Sequence, residues 1–203
     1  MVNNYLFIDG SALLSDIKKY KSNHPELTDK KFSPMIFSTT FFGSKKFATF
    51  HENSSRRTVF YFVKNDKRIK ELVKIPQYTK SGEINDLEIK YCGKRIPIFE
   101  KAKEWLENKK APAYVTDSLY KSEKAVDTQI CCDALVFLSL DKLDRLFLYS
   151  NDYDFIPLFK TIKTMGENIS LVKLTDMKVN KDLATECDSF CSFTDDEINS
   201  FFV

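Results

Sequence analysis

The chain predicts an α/β fold, a mostly parallel sheet of about five strands with helices on both faces. Three observations lead there. Short apolar runs at residues 5–8, 58–63, 113–116, 146–150 and 169–172 read as buried strands, helical stretches separate most of them, and two of the runs lead directly into aspartates. This alternation describes βαβ units. Right-handed crossovers then carry the strand ends that matter to one edge of the sheet, where ligands of such folds bind.

Taken in order, Tyr5-Leu6-Phe7-Ile8 delivers Asp9-Gly10-Ser11 at its end. Between residues 22 and 57, Pro25 and Pro34 break the pattern and Phe37, Phe41, Phe42, Phe47 and Phe50 gather, which predicts an amphipathic helix laid over the sheet. The second strand is followed by Lys64, Lys67, Arg68 and Lys70. Residues 76–97 alternate around Ser81-Gly82 and predict a small β-hairpin insertion, after which Pro97 suits the first turn of a helix through about Asn108. From Ser122 to Leu140 the apolar stripe Val126, Ile130, Ala134, Phe137 and Leu138 predicts a helix with Ser122 as N-cap and Asp127 in its first turns. Asp133 falls on that apolar face, where a carboxylate must be paired, hydrogen-bonded or bound to metal. Leu146-Phe147-Leu148-Tyr149 runs into Ser150-Asn151-Asp152-Tyr153-Asp154. The expectation is one domain over residues 1–203, with insertions at 23–57 and 76–97.

Composition narrows the function classes. The 203 residues are 43% hydrophobic and 30% charged, an ordinary soluble balance, while 18 Phe against 5 Gly point to a thick aromatic core. No apolar run approaches ~20 residues, and the chain enters a strand too early for a signal peptide, so a cytoplasmic protein without membrane association is expected. Five cysteines without a C-x-x-C pair, and only His24 and His51 as histidines, argue against a disulfide framework, a structural zinc site and a histidine-rich metal site. Residues 1–116 carry 22 Lys+Arg against 13 Asp+Glu, and residues 117–203 carry 9 against 16. A basic half beside an acidic half suits a polyanionic substrate brought to a carboxylate cluster.

Each aspartate alone has an ordinary explanation as a cap or turn former. Their convergence changes that. Asp9, Asp127, Asp152 and Asp154 all fall at strand or helix ends on one predicted edge, and carboxylates packed together repel unless a divalent cation neutralises them. Oxygen-only ligation favours Mg²⁺ or Mn²⁺, ions that serve phosphodiester chemistry by activating water and offsetting charge.

The order Phe7-Ile8-Asp9-Gly10-Ser11, then Glu123-Lys124-Ala125-Val126-Asp127 opening a helix that contains Asp133, then the segment Tyr149-Ser150-Asn151-Asp152-Tyr153-Asp154-Phe155-Ile156-Pro157-Leu158, then Met165-Gly166, resembles the NYN domains of the PIN-like ribonuclease superfamily. The resemblance implies a three-layer PIN-like sandwich and metal-dependent cleavage of RNA. By position it makes Asp9, Asp127, Asp152 and Asp154 the catalytic metal ligands, Lys124 a basic neighbour and Asp133 a supporting acid behind them. Ser11 stands where the family usually has Asn, Ala125 where it has Gly, and Asn151 where Gly is common. Ser11, Lys124 and Asn151, with Arg56 and Arg57, are the candidate substrate contacts; Lys45-Lys46 and the Lys64 group offer further phosphate steering. Tyr153 can stack a base or pack under the next helix.

Two other readings compete. A haloacid dehalogenase-type phosphatase needs a second acid two residues beyond the first, and Ser11 fills that place. A catalytically inactive RNA- or protein-binding module of the same fold gains nothing from four converging carboxylates. The exposed ends of the Phe-rich segment also allow a homodimer.

Overall fold

The computed structural model describes residues 2–43, 55–76, 87–95, 98–110, 123–175 and 179–203. In chain order the elements are β1 (Asn3–Asp9), α1 (Gly10–Asn23), α2 (Pro34–Gly43), β2 (Ser55–Val63), α3 (Lys67–Leu72), β3 (Leu87–Cys92), β4 (Lys94–Arg95) and α4 (Ile98–Asn108). They continue with β5 (Glu123–Lys124), α5 (Val126–Ser139), β6 (Arg145–Tyr149), α6 (Ile156–Thr164), β7 (Asn168–Val172), α7 (Lys181–Glu186), β8 (Ser189–Cys191) and α8 (Asp195–Ser200).

Six strands form the main sheet in the order β3-β2-β1-β6-β7-β8, and every neighbouring pair is parallel. The chain leaves β1 toward β2 and β3, then returns to place β6 on the other side. The gap between the C-terminal ends of β1 and β6 is therefore the topological switch point of the sheet, the crevice where ligands of open α/β folds bind.

Strand alternation divides the core into two layers. Leu6, Ile8, Phe60, Phe62 and Phe147 face one side, where they pack with Phe32, Phe37 and Phe41 and with Phe201 beyond α8. Tyr5, Phe7, Val59, Tyr61, Leu146 and Leu148 face the other, against Val126, Ile130 and Ala134 of α5, Phe159 of α6 and Leu183 of α7. Each fully buried Phe contributes roughly 1.5–3 kcal/mol, so the aromatic excess is the main apolar filling. The arrangement is a three-layer α/β/α sandwich.

Most of the expected elements are present, with informative differences. The Phe-rich stretch gives α2, whose Phe37, Phe41 and Phe42 are buried as expected. Within the main sheet two strands go beyond the expected set, and β4 and β5 pair antiparallel in a separate two-stranded sheet. β3 lies within the stretch expected to be a hairpin insertion and instead pairs parallel with β2 as an edge of the main sheet, while the Ser81-Gly82 turn lies outside the described residues. Its alternation of Leu87, Ile89 and Tyr91 with Glu88 and Lys90 suits an edge as well as a hairpin arm. β8 is three residues long and carries little apolar signal. The strand expected at residues 113–116 and the N-cap expected at Ser122 lie outside the described residues; α5 begins at Val126, with Ala125 as its N-cap. All five cysteines are free thiols. Among the described residues no helix is long and apolar enough to cross a membrane.

Gly10 lets α1 start directly against β2. A Cβ at this position would lie 2.5 Å from the Tyr61 carbonyl oxygen and closer still to the Phe62 ring. Backbone cannot yield as a flexible side-chain tip can, so Gly10→Ala should destabilise by about 3 kcal/mol, measured by urea unfolding; a loss under about 0.5 kcal/mol would contradict this close approach.

Candidate active site

Asp9 ends β1 and caps α1 with the same carboxylate. Its Oδ1 accepts hydrogen bonds from the backbone N–H groups of Ser11 (2.9 Å) and Ala12 (3.3 Å), while Oδ2 accepts one from the Ser150 hydroxyl at 3.0 Å. Ser150 follows β6 and is fully buried, and its Oγ also accepts the backbone N–H of Asp152 at 3.2 Å. One hydroxyl thus joins the first acid to the loop of the late acid pair, across the switch point. Asp152 is half-buried and its Oδ1 accepts the N–H of Asp154, capping the short turn Tyr153–Phe155. Asp154 is exposed, as is Tyr153 at 63%, which rules out the packed alternative for that ring.

Asp127 comes from the other side of Asp9. It sits half-buried in the first turn of α5, close enough to β3 for its charge to act on Cys92. Burial pushes the Cys92 thiol up, with Asp133 and Asp127 adding to the rise and Lys90 and Lys64 opposing it. The acids therefore spread along the C-terminal edge, Asp127 toward β3, Asp9 central, Asp152 and Asp154 beyond β6. Among the described residues no three His, Cys, Asp or Glu side chains are grouped closely enough to hold a metal ion. The donor chemistry still suits a hard cation, because every acid offers oxygen and the buried Ser11 Oγ, beside Asp9, has no hydrogen-bond partner among the described residues. An orphaned hydroxyl at this point is placed to hold a water.

Asp133 has a role of its own. It accepts from Tyr61 Oη at 2.9 Å, Lys90 Nζ at 2.7 Å and Gln129 Nε2 at 2.8 Å. Burial works to raise its carboxyl, but the three donors outweigh that and hold it below the usual carboxylate range. Asp133 thus ties α5, and with it Asp127, to β2 and β3.

The expected substrate contacts separate. Asn151 Oδ1 accepts the backbone N–H of Asn180 at 2.7 Å, fastening the acidic loop to the start of α7. Lys124 pairs through its backbone with Lys94; its side chain, like Lys45 and Lys46, lies outside the described residues. Arg56 and Arg57 are not brought to this edge. They pair in register with Asn4 and Tyr5 at the start of β1, and their guanidiniums reach the Phe42 carbonyl and Glu88. In a parallel sheet the beginning of β2 lies at the edge away from Asp9.

Sequence reasoning missed Ser150 and a second network beneath the site. Tyr149 Oη donates to Asp16 Oδ2 at 2.6 Å, and Lys173 Nζ, only 3% exposed, donates to the same oxygen at 2.8 Å. Burial and Asp16 push the Tyr149 hydroxyl far up, so it stays a donor. The available signal was Asp16 two helical turns after Asp9.

The profile of the NYN domain family matches residues 5–195 of the chain. No curated protein matches it. Among solved structures, a protein of unknown function from Vibrio parahaemolyticus RIMD 2210633 is similar at 13% identity and a TM-score of 0.49, covering 96% of this chain and 94% of that one.

Two stability outcomes follow from this geometry. Asp133 contributes fully above its unfolded-state value of about 3.9 and loses that contribution as pH falls through its lower folded-state value. Asp133→Asn should therefore cost about 2 kcal/mol at neutral pH in urea unfolding, with the gap to the parent closing on acidification below about pH 4; a gap that widened would refute the network. Ala125 holds a left-handed φ of 80°, which costs a Cβ-bearing residue about 1–2 kcal/mol. Ala125→Gly, after the roughly 0.5–1 kcal/mol entropic loss of glycine, should raise the melting temperature by a few degrees.

Proposed function

Because the chain belongs to the NYN domain family, within the PIN-like nuclease superfamily, we propose that it is a metal-dependent ribonuclease hydrolysing phosphodiester bonds in RNA, acting in the cytoplasm as one domain over residues 1–203. The observation that carries this reading is the Ser150 bridge between Asp9 and the Asp152 loop at the switch point of the sheet.

Asp9, Asp127, Asp152 and Asp154 would hold the ion, Mg²⁺ or Mn²⁺ by the hardness of their oxygens. When bound, such an ion supplies an activated water and offsets the charge that develops on the scissile phosphate. The protein's own part is orientation. Two backbone N–H groups and one hydroxyl fix the orientation of the Asp9 carboxylate. Ser11 Oγ offers a hydrogen bond to a water or phosphate oxygen beside it, and the exposed Tyr153 ring offers a stacking face to a base.

Unstructured RNA incubated with increasing Mn²⁺ or Mg²⁺ provides the test. The parent protein should cut, and Asp152→Asn should lower the rate by at least a hundredfold while the two bind RNA alike in EDTA. Equal binding with no cleavage by the parent at any metal concentration would instead establish an inactive RNA-binding module.

A further inference from the structure

A row of exposed lysines runs from the acidic edge along the α3 side of the molecule. Lys64 leaves β2 at that edge, where its charge and that of Asp127 both act on Cys92. Lys67 and Lys70 follow on α3, which packs against α1. The parallel bridge between Phe32 and Val73 sets Lys31 level with Leu72 at the end of α3, and Lys31 Nζ donates to the Lys70 carbonyl at 2.8 Å, while Lys74 follows one residue beyond the bridge. All five side chains are exposed. Among the described residues none of these ammonium groups pairs with a carboxylate, in contrast to Arg68, taken by Asp66 at 2.6 Å, and Lys90, taken by Asp133 at 2.7 Å.

Two further features give the row a direction and a ligand class. Toward the opposite edge of the sheet, on α7 and just before β8, the exposed side chains include Asp182 and Asp188, which disfavour a polyanion there. On β3, Tyr91 is 47% exposed and contacts Phe62 at a centroid distance of 6.4 Å. It pairs in register with Phe62, two residues before Lys64. An exposed ring beside a line of unpaired cations matches the two elements of single-strand recognition, stacking for bases and charge for the backbone.

We propose that single-stranded RNA enters or leaves the acidic edge in one direction only, over Lys64, Lys67, Lys70, Lys74 and Lys31, with a base stacked on Tyr91. This path rests on the ribonuclease reading for its purpose and is tested independently of it. Fluorescence anisotropy of a labelled unstructured RNA of about 20 nucleotides, in EDTA and across about 50–200 mM salt, reads binding without cleavage. Lys67→Glu/Lys70→Glu should lose tenfold or more in affinity, and its log–log salt slope should become shallower by about 1.4. Tyr91→Ala should weaken binding roughly fivefold or more with the slope unchanged. The control Lys142→Glu/Lys163→Glu, which reverses two charges at the opposite edge, should match the parent, and thermal melts confirm that each variant folds. Unchanged affinity in the α3 variant, or equal losses in both double variants, would overturn the path. A duplex RNA competing as well as the single strand would overturn the ligand class. Failure of cleavage by the parent leaves this measurement intact, and failure of binding leaves the cleavage assay intact.

Discussion

The carboxylate of Asp9 is the constraint on which the rest of the site depends. It closes the central strand, satisfies two of the orphan N–H groups at the start of α1 and accepts the hydroxyl that anchors the Asp152 loop. A buried acid is costly unless its lone pairs are engaged, and here each partner belongs to an element the site needs. Strand end, helix start and neighbouring strand are thereby locked into one geometry. Gly10 completes this, because only a residue without a side chain lets the helix begin so close to β2.

The supporting acids are graded by exposure in a way that suits division of labour. Asp133, engaged by three donors, is structural and holds α5 against β2 and β3. Asp127 and Asp152 are half-buried, and Asp154 stands in solvent. Asp9, the innermost acid of the edge, is held by at least three hydrogen bonds, and exposure increases outward to Asp154.

Much of this was legible in the sequence, for identifiable reasons. Apolar runs ending in aspartate gave the strand ends, because desolvated carboxylates are rare enough to be informative, and the phenylalanine cluster foretold α2. Asp133 was recognised as needing a partner from its place on an apolar face, but Lys90, Tyr61 and Gln129 were not, since pairing across the sheet depends on register that periodicity does not encode. Arg56 and Arg57 looked like substrate contacts as a basic pair, yet their position at the start of β2 sends them to the far edge. Edge strands are the weakest signals: β3 mixes charged with apolar residues and β8 is too short to stand out.

The Lys173, Asp16 and Tyr149 network joins α1, β6 and the end of β7 through a single carboxylate oxygen. Removing Asp16 takes the shared acceptor from both the buried Lys173 ammonium and the buried Tyr149 hydroxyl, so the two flanks of the switch point are coupled through it. The floor of the crevice behaves as one cooperative unit. Breathing of the molecule is thereby displaced to its rim, and amide exchange at the base of the crevice becomes tied to opening of the whole domain.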